Sequence, residues 1–187
     1  MPQNGIYILF EKNELAHGGD RIVRIGTHTG DNQLQSRIKQ HFIKENKDRS
    51  IFRKNIGRCI LNKSKSPFLE YWNKDLTARK NKEKYQLLID FDIQNKIEKQ
   101  ISEYMKESFS LVFIEVDSKL DRLRLESKSI STVCQCSQCI PSSQWLGNYS
   151  PLTKIRDSGL WQVQELYKVP FSNDELTGFV REFTSKI

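Results

Sequence analysis

The chain lacks any apolar run approaching the ~18 residues that crossing a bilayer requires, and its 187 residues include only 4 cysteines, 5 prolines and 2 methionines. Three of those cysteines crowd at Cys134, Cys136 and Cys139, which makes a poor disulfide framework. Met1-Pro2-Gln3-Asn4 has no basic leader, and residues 5–10 are too short for a signal core. A reduced, cytoplasmic protein with no membrane segment is the expectation. Acidic residues are the scarcer charge: 23 Asp+Glu against 30 Lys+Arg leave a net charge of +7. That excess favours an anionic partner, nucleic acid first. No internal repeat and no low-complexity segment is present. A chain of this length makes one domain able to bury roughly 70% of its unfolded surface.

Gly5-Ile6-Tyr7-Ile8-Leu9-Phe10 is a short β-rich apolar run and predicts a buried strand. His17-Gly18-Gly19-Asp20 signals a turn into Arg21-Ile22-Val23-Arg24-Ile25-Gly26, so a hairpin pairs two strands. Leu34, Ile38 and Phe42 predict an amphipathic helix over 33–45, and Phe52, Ile56 and Cys59 predict another over 50–61. Residues 62–90 are the least regular and read as an exposed insertion or flap. A helix marked by Ile93, Ile97 and Ile101 follows. Residues 109–116 then read as a central strand covered on both faces. Residues 118–132 predict a helix with Leu120, Leu123 and Ile130 as its stripe. Residues 142–161 read as ordered loop, and 174–186 as a last helix. The order predicts an α+β fold: a small, mainly antiparallel three-stranded sheet flanked by helices. It spans residues 1–187 as a single domain, with the insertion at about 62–90 and a C-terminal loop plus helix at about 142–187.

Several residues fall in a suggestive order on these elements. Gly5-Ile6-Tyr7 opens the first strand, and Arg24-Ile25-Gly26-Thr27 closes the second. Arg37 and His41 lie one turn apart on the first helix, Glu126 lies on a later helix, and Asn148 lies in Gly147-Asn148-Tyr149. This arrangement resembles the GIY-YIG nuclease superfamily over roughly residues 5–161. The departure is Arg24, which stands where the second motif carries a tyrosine. The blocks 24–28, 50–57 and 145–161 also resemble a bacterial group of proteins carrying this domain. The resemblance implies a metal-dependent endonuclease acting on DNA. It assigns catalytic roles to Tyr7, Arg24, Arg37, His41 and Asn148, and a Mg²⁺ or Mn²⁺ ligand role to Glu126. With the motif tyrosine replaced, Tyr7 works alone, or His41 or His28 substitutes.

Independent chemistry is compatible with these roles. Glu126 falls at the edge of an apolar stripe, where a carboxylate is costly unless paired or metal-bound. An oxygen ligand suits Mg²⁺, and a salt bridge to an arginine is the structural alternative. Arg37 offers a planar guanidinium to a phosphate, and His41 can serve as acid or base near neutrality. A free tyrosine phenol has a reference pKa of ~10, so a tyrosine at position 7 acts as a base only beside positive charge, which Arg24 and Arg37 or the metal would supply.

Two basic stretches are candidate phosphate contacts: Arg49, Arg53, Lys54 and Arg58, then Arg79, Lys80 and Lys82. The pair Cys136-x2-Cys139 has zinc-ligand spacing, but no second such pair or His-x3-His completes a set. His17, His28, His41 and Cys59 are the other available ligands, and a reduced thiol cluster is the favoured reading. Three functions follow. The leading one is a DNA endonuclease, with double-strand cleavage requiring a homodimer or sequential nicking. The others are a non-catalytic nucleic-acid-binding module that kept the fold, and a zinc-stabilised interaction protein.

Overall fold

The computed structural model describes residues 1–184. The first strand, β1 (Gly5–Ala16), turns through His17 and Gly18 into β2 (Gly19–Gly26). Both turn residues have positive φ, 51° and 80°, as a two-residue type I′ hairpin requires. Helices α1 (Leu34–Phe42), α2 (Ile51–Lys63), α3 (Leu69–Asn73), α4 (Arg79–Tyr85) and α5 (Phe91–Ser108) follow. Then come β3 (Phe109–Glu115), α6 (Lys119–Cys134), α7 (Thr153–Ser158) and α8 (Asn173–Thr184). The predicted last helix ran to Lys186, which lies outside the described residues.

Helix starts are set locally. The Ser50 side chain accepts from Arg53 N at the head of α2, Asp90 accepts from Asp92 N and Ile93 N at α5, and Ser118 accepts from Asp121 N at α6. Each satisfies backbone donors that the first turn leaves without partners.

The sheet is antiparallel in the order β2-β1-β3. The expectation for residues 109–116 is therefore corrected: β1 is central and β3 is an edge strand with Val112 47% exposed. An unbroken apolar run does not distinguish a doubly covered strand from an edge strand with one wet face. One face of the sheet, with Tyr7 and Leu9, packs on Leu34, Phe52, Ile56, Ile101 and Met105 of α1, α2 and α5. The other, with Ile8, Ile22 and Ile25, packs on Ile130 and Val133 of α6.

A register shift opposite Leu9 and Phe10 makes Val23 an extra residue in β2. Its carbonyl then accepts from Trp161 N, 2.8 Å away. Such a bulge re-aims side chains; here Val23 and Arg24 both reach the Tyr7 face.

Residues 62–90 are not uniformly exposed. Phe68, Trp72 and Ile89 enter the main core, and the Trp72 indole donates to the Lys54 carbonyl at 3.0 Å. The α6 stripe also differs from the pattern: Leu120 is 80% exposed and Leu123 37%. Arg122, Ile130 and Ser131 are the buried residues of that helix. Of the predicted stripe only Ile130 is buried; the first two turns pack through Arg122 instead of the leucines, because that arginine finds the Val116 and Asp117 carbonyls on the packed side. No described helix is long and apolar enough to cross a membrane.

Candidate active site

Tyr7 pairs with Gly26 across the β1–β2 ladder and with Phe113 across β1–β3, so its ring is held in the middle of the sheet. Both glycines of the motif segments have steric reasons. A Cβ on Gly26 would lie 2.3 Å from the Tyr7 hydroxyl, and one on Gly5 would lie 2.2 Å from the Ile114 carbonyl oxygen. The Tyr7 hydroxyl lies 3.0 Å from His41 Nε2. Arg24 Nε donates to the same oxygen at 3.4 Å. The rest of the Arg24 guanidinium is held by the Trp161 carbonyl and stacked 5.1 Å from the Phe52 ring.

His41 Nδ1 lies 2.7 Å from Ser50 Oγ. Arg24 can only donate, so His41 Nε2 is the acceptor available to the Tyr7 proton, and Nδ1–H then donates to Ser50. Burial holds His41 well below the ordinary imidazole pKa, and the nearby Arg24, Arg37 and Arg53 add to that. The ring is therefore neutral at pH 7.

Glu126 approaches from the opposite face of the sheet, just past the end of β2. Thr27 N–H donates to Glu126 Oε1 at 3.0 Å, while the Thr27 hydroxyl donates to the Gly5 carbonyl at 2.7 Å. The other carboxylate oxygen has no hydrogen-bond partner among the described residues, nor does Glu126 form an ion pair there. Burial raises its pKa, with the Thr27 bond and the more distant Arg24 and Arg37 opposing. A half-buried carboxylate with one oxygen anchored and one free, and only oxygen offered, fits a hard divalent cation that keeps several waters.

Arg37 is half-exposed on α1 and donates to Gln40 at 3.3 Å. With Thr27, Thr29, Gln33, Ser36 and Gln40 it lines a polar cleft of about 380 Å³. Thr27 joins this cleft to Glu126. A larger concavity of about 1000 Å³ lies between β3, the start of α6 and α8, and none of the residues above lines it.

Three expectations change. Asn148 is not brought to this cluster: its amide donates to the Ser142 and Ser143 carbonyls, 2.9 and 3.2 Å away, closing its own loop. His28 is committed to the backbone, with Nε2 accepting from Gly5 N and Nδ1 on the Gly30 carbonyl, so both ring nitrogens are already engaged and it is not free to substitute for the motif tyrosine that Arg24 replaces. Arg53 and Lys54 are buried rather than part of a solvent-facing patch. Arg53 pairs with Glu98 at 2.8 Å and donates to the His41 carbonyl, whereas Lys54 pairs with Asp48 at 3.2 Å. Arg49, Arg79, Lys80 and Lys82 are exposed, and Arg58 is half-exposed. Arg79 is paired with Glu83 at 2.8 Å.

Sequence reading passed over Thr27, Ser50 and the Trp161 carbonyl. Ser50 carried a usable sign, a serine immediately before an amphipathic helix. The Trp161 carbonyl and the Thr27 amide that meets Glu126 act through the backbone, which leaves no mark in residue type.

A small antiparallel sheet whose central-strand tyrosine meets an arginine and a neutral histidine, with a helix-borne carboxylate anchored at Thr27 just past the second strand, is the arrangement of a nuclease-type domain. The chain belongs to the GIY-YIG domain family, whose model matches residues 1–184. GIY-YIG domains are nuclease-type domains, generally dependent on a divalent metal. No match was found among the curated proteins or the solved structures.

Proposed function

We propose that the protein is a divalent-metal-dependent endonuclease that hydrolyses phosphodiester bonds in DNA at the cluster of Tyr7, Arg24, Arg37, His41 and Glu126. The observation that carries this reading is the convergence of Tyr7, His41 and Arg24 on one hydrogen-bonded centre, with the Glu126–Thr27 contact at the adjoining strand end.

Tyr7 activates the attacking water. Arg24 beside its oxygen lowers the cost of phenolate character, and neutral His41 takes the phenolic proton at Nε2 while Ser50 holds the ring through Nδ1. Arg37, reaching into the cleft, holds the scissile phosphate and stabilises its growing negative charge. Mg²⁺ or Mn²⁺ bound at Glu126 would supply stabilisation of the leaving 3′ oxygen and the phosphoryl charge. Tyr7 and His41 are fully covered, so the substrate phosphate must open the cleft wall at Thr27 to reach them. Arg49, Arg58, Arg79, Lys80 and Lys82 contribute salt-dependent phosphate contacts.

A second reading, a nucleic-acid-binding module without catalysis, draws on the same burial of Tyr7 and on Arg24 at the tyrosine position of the second motif. Nicking of supercoiled plasmid separates the two. Wild type cuts in Mg²⁺ or Mn²⁺ and Glu126→Ala does not, if the nuclease reading holds. Plasmid binding by both proteins without cleavage by either supports the module.

A further inference from the structure

The tip of the β1–β2 hairpin and the end of α6 meet at three ligating side chains that the nuclease chemistry does not use. His17 Nε2 lies 3.2 Å from Cys136 Sγ, across 119 residues of chain. One ligand atom from each of His17, Cys136 and Cys139 lies within 4.8 Å of the other two. All four cysteines are free thiols.

We propose that His17, Cys136 and Cys139 form a zinc site that ties the hairpin tip to the C-terminal end of α6. The second pair of ligands that the sequence did not show is partly supplied by the fold. The type I′ turn swings His17 over the Cys136-x2-Cys139 segment, which is itself a tight turn with Cys139 N donating to the Cys136 carbonyl at 3.2 Å. Zn–S and Zn–N bonds of about 2.3 and 2.0–2.1 Å place tetrahedral ligand atoms about 3.6–3.8 Å apart, a span this trio reaches with small side-chain movements.

Two thiolates and a neutral imidazole cancel the ion's charge, and this soft donor set selects zinc over Mg²⁺ or Ca²⁺. Among the described residues no fourth His, Cys, Asp or Glu atom joins the group, so water completes the tetrahedron. Cys134 is excluded because it packs beside Ile25, Ile130 and Leu160. The ion would fix the end of the helix that carries Glu126 against the strands that carry Tyr7 and Arg24. The site stands independently of the nuclease reading.

The test is zinc content and Co²⁺ titration of reduced full-length protein purified without chelator. One zinc per chain is expected, with a thiolate-to-Co²⁺ charge-transfer band on exchange. His17→Ala and Cys136→Ser should each weaken Co²⁺ binding at least ~100-fold as read from the charge-transfer band, while Cys134→Ser leaves it unchanged. Circular dichroism shows whether each variant is folded, and a fall in Tm of wild type but not of Cys136→Ser on adding chelator places the metal at this cluster. Absence of both bound zinc and the charge-transfer band overturns the site. Undiminished Co²⁺ binding by folded His17→Ala overturns it too.

Discussion

The hydroxyl of Tyr7 sits 3.0 Å from Nε2 of His41, and neither side chain has any solvent exposure. The pair is assembled from β1 and α1 around a proton that only His41 can accept, because the other neighbour of that oxygen, Arg24, is a donor. Tyr7→Phe keeps the ring and removes the proton. It should lower the plasmid-nicking rate by ~10²-fold or more and destabilise the fold by ~1–3 kcal/mol through the unsatisfied Nε2. Single-turnover nicking rates and urea melts read the two effects separately.

The depressed His41 pKa sets a stability profile. The folded ring stays neutral as pH falls, while the unfolded chain binds a proton near ~6.5. The unfolded state therefore holds more protons below that pH, and stability is lost as pH drops through it, by up to ~1.36 kcal/mol per pH unit from this group. Urea melts of wild type and His41→Gln from neutral pH downward should differ in slope, with wild type falling more steeply. Parallel slopes would mean that His41 titrates normally in the fold.

Gly26 is required by contact with Tyr7, whose hydroxyl would lie 2.3 Å from an added Cβ. Gly26→Ala should destabilise by ~1–3 kcal/mol and separate Tyr7 from His41. Nicking is then lost even where the variant remains folded by circular dichroism.

Arg37 and Arg53 should part company experimentally. Arg37 is half-exposed and among the described residues its side chain bonds only to Gln40, so Arg37→Ala should leave stability nearly unchanged while reducing the salt slope of DNA binding by ~0.9. Arg53 is buried against Glu98, the His41 carbonyl and Ser102. Its removal strands a buried carboxylate and should cost ~3–5 kcal/mol, measured by chemical denaturation.

Glu126→Gln keeps an oxygen for Thr27 N–H and removes the negative charge. The expected outcome is intact folding, retained DNA binding, and nicking reduced ~10²-fold or more in both Mg²⁺ and Mn²⁺. Unchanged nicking would place the cation elsewhere.

Local pattern made much of this legible. The hairpin, the helices beginning at Ser50 and Ser118, and the residues Tyr7, Arg37, His41 and Glu126 all follow from short-range chemistry or motif order. The edge position of β3, the exposure of Leu120 and Leu123 on α6, and the burial of Arg53 did not follow. Each depends on which surface another element covers, and a basic run reads the same whether its arginines meet water or a carboxylate 45 residues away.

The sequence by itself determined the α+β class, the strand and helix types, and the residues on which the GIY-YIG resemblance rests, because propensity, capping and periodicity act over a few residues. Only the tertiary structure decided that His41 rather than His28 faces Tyr7, that Arg24 donates to the same phenol, that Asn148 closes a separate loop, and that His17 meets Cys136 and Cys139. Those outcomes join positions far apart in the chain through packing and backbone carbonyls and amides, whose placement residue identity does not encode one position at a time.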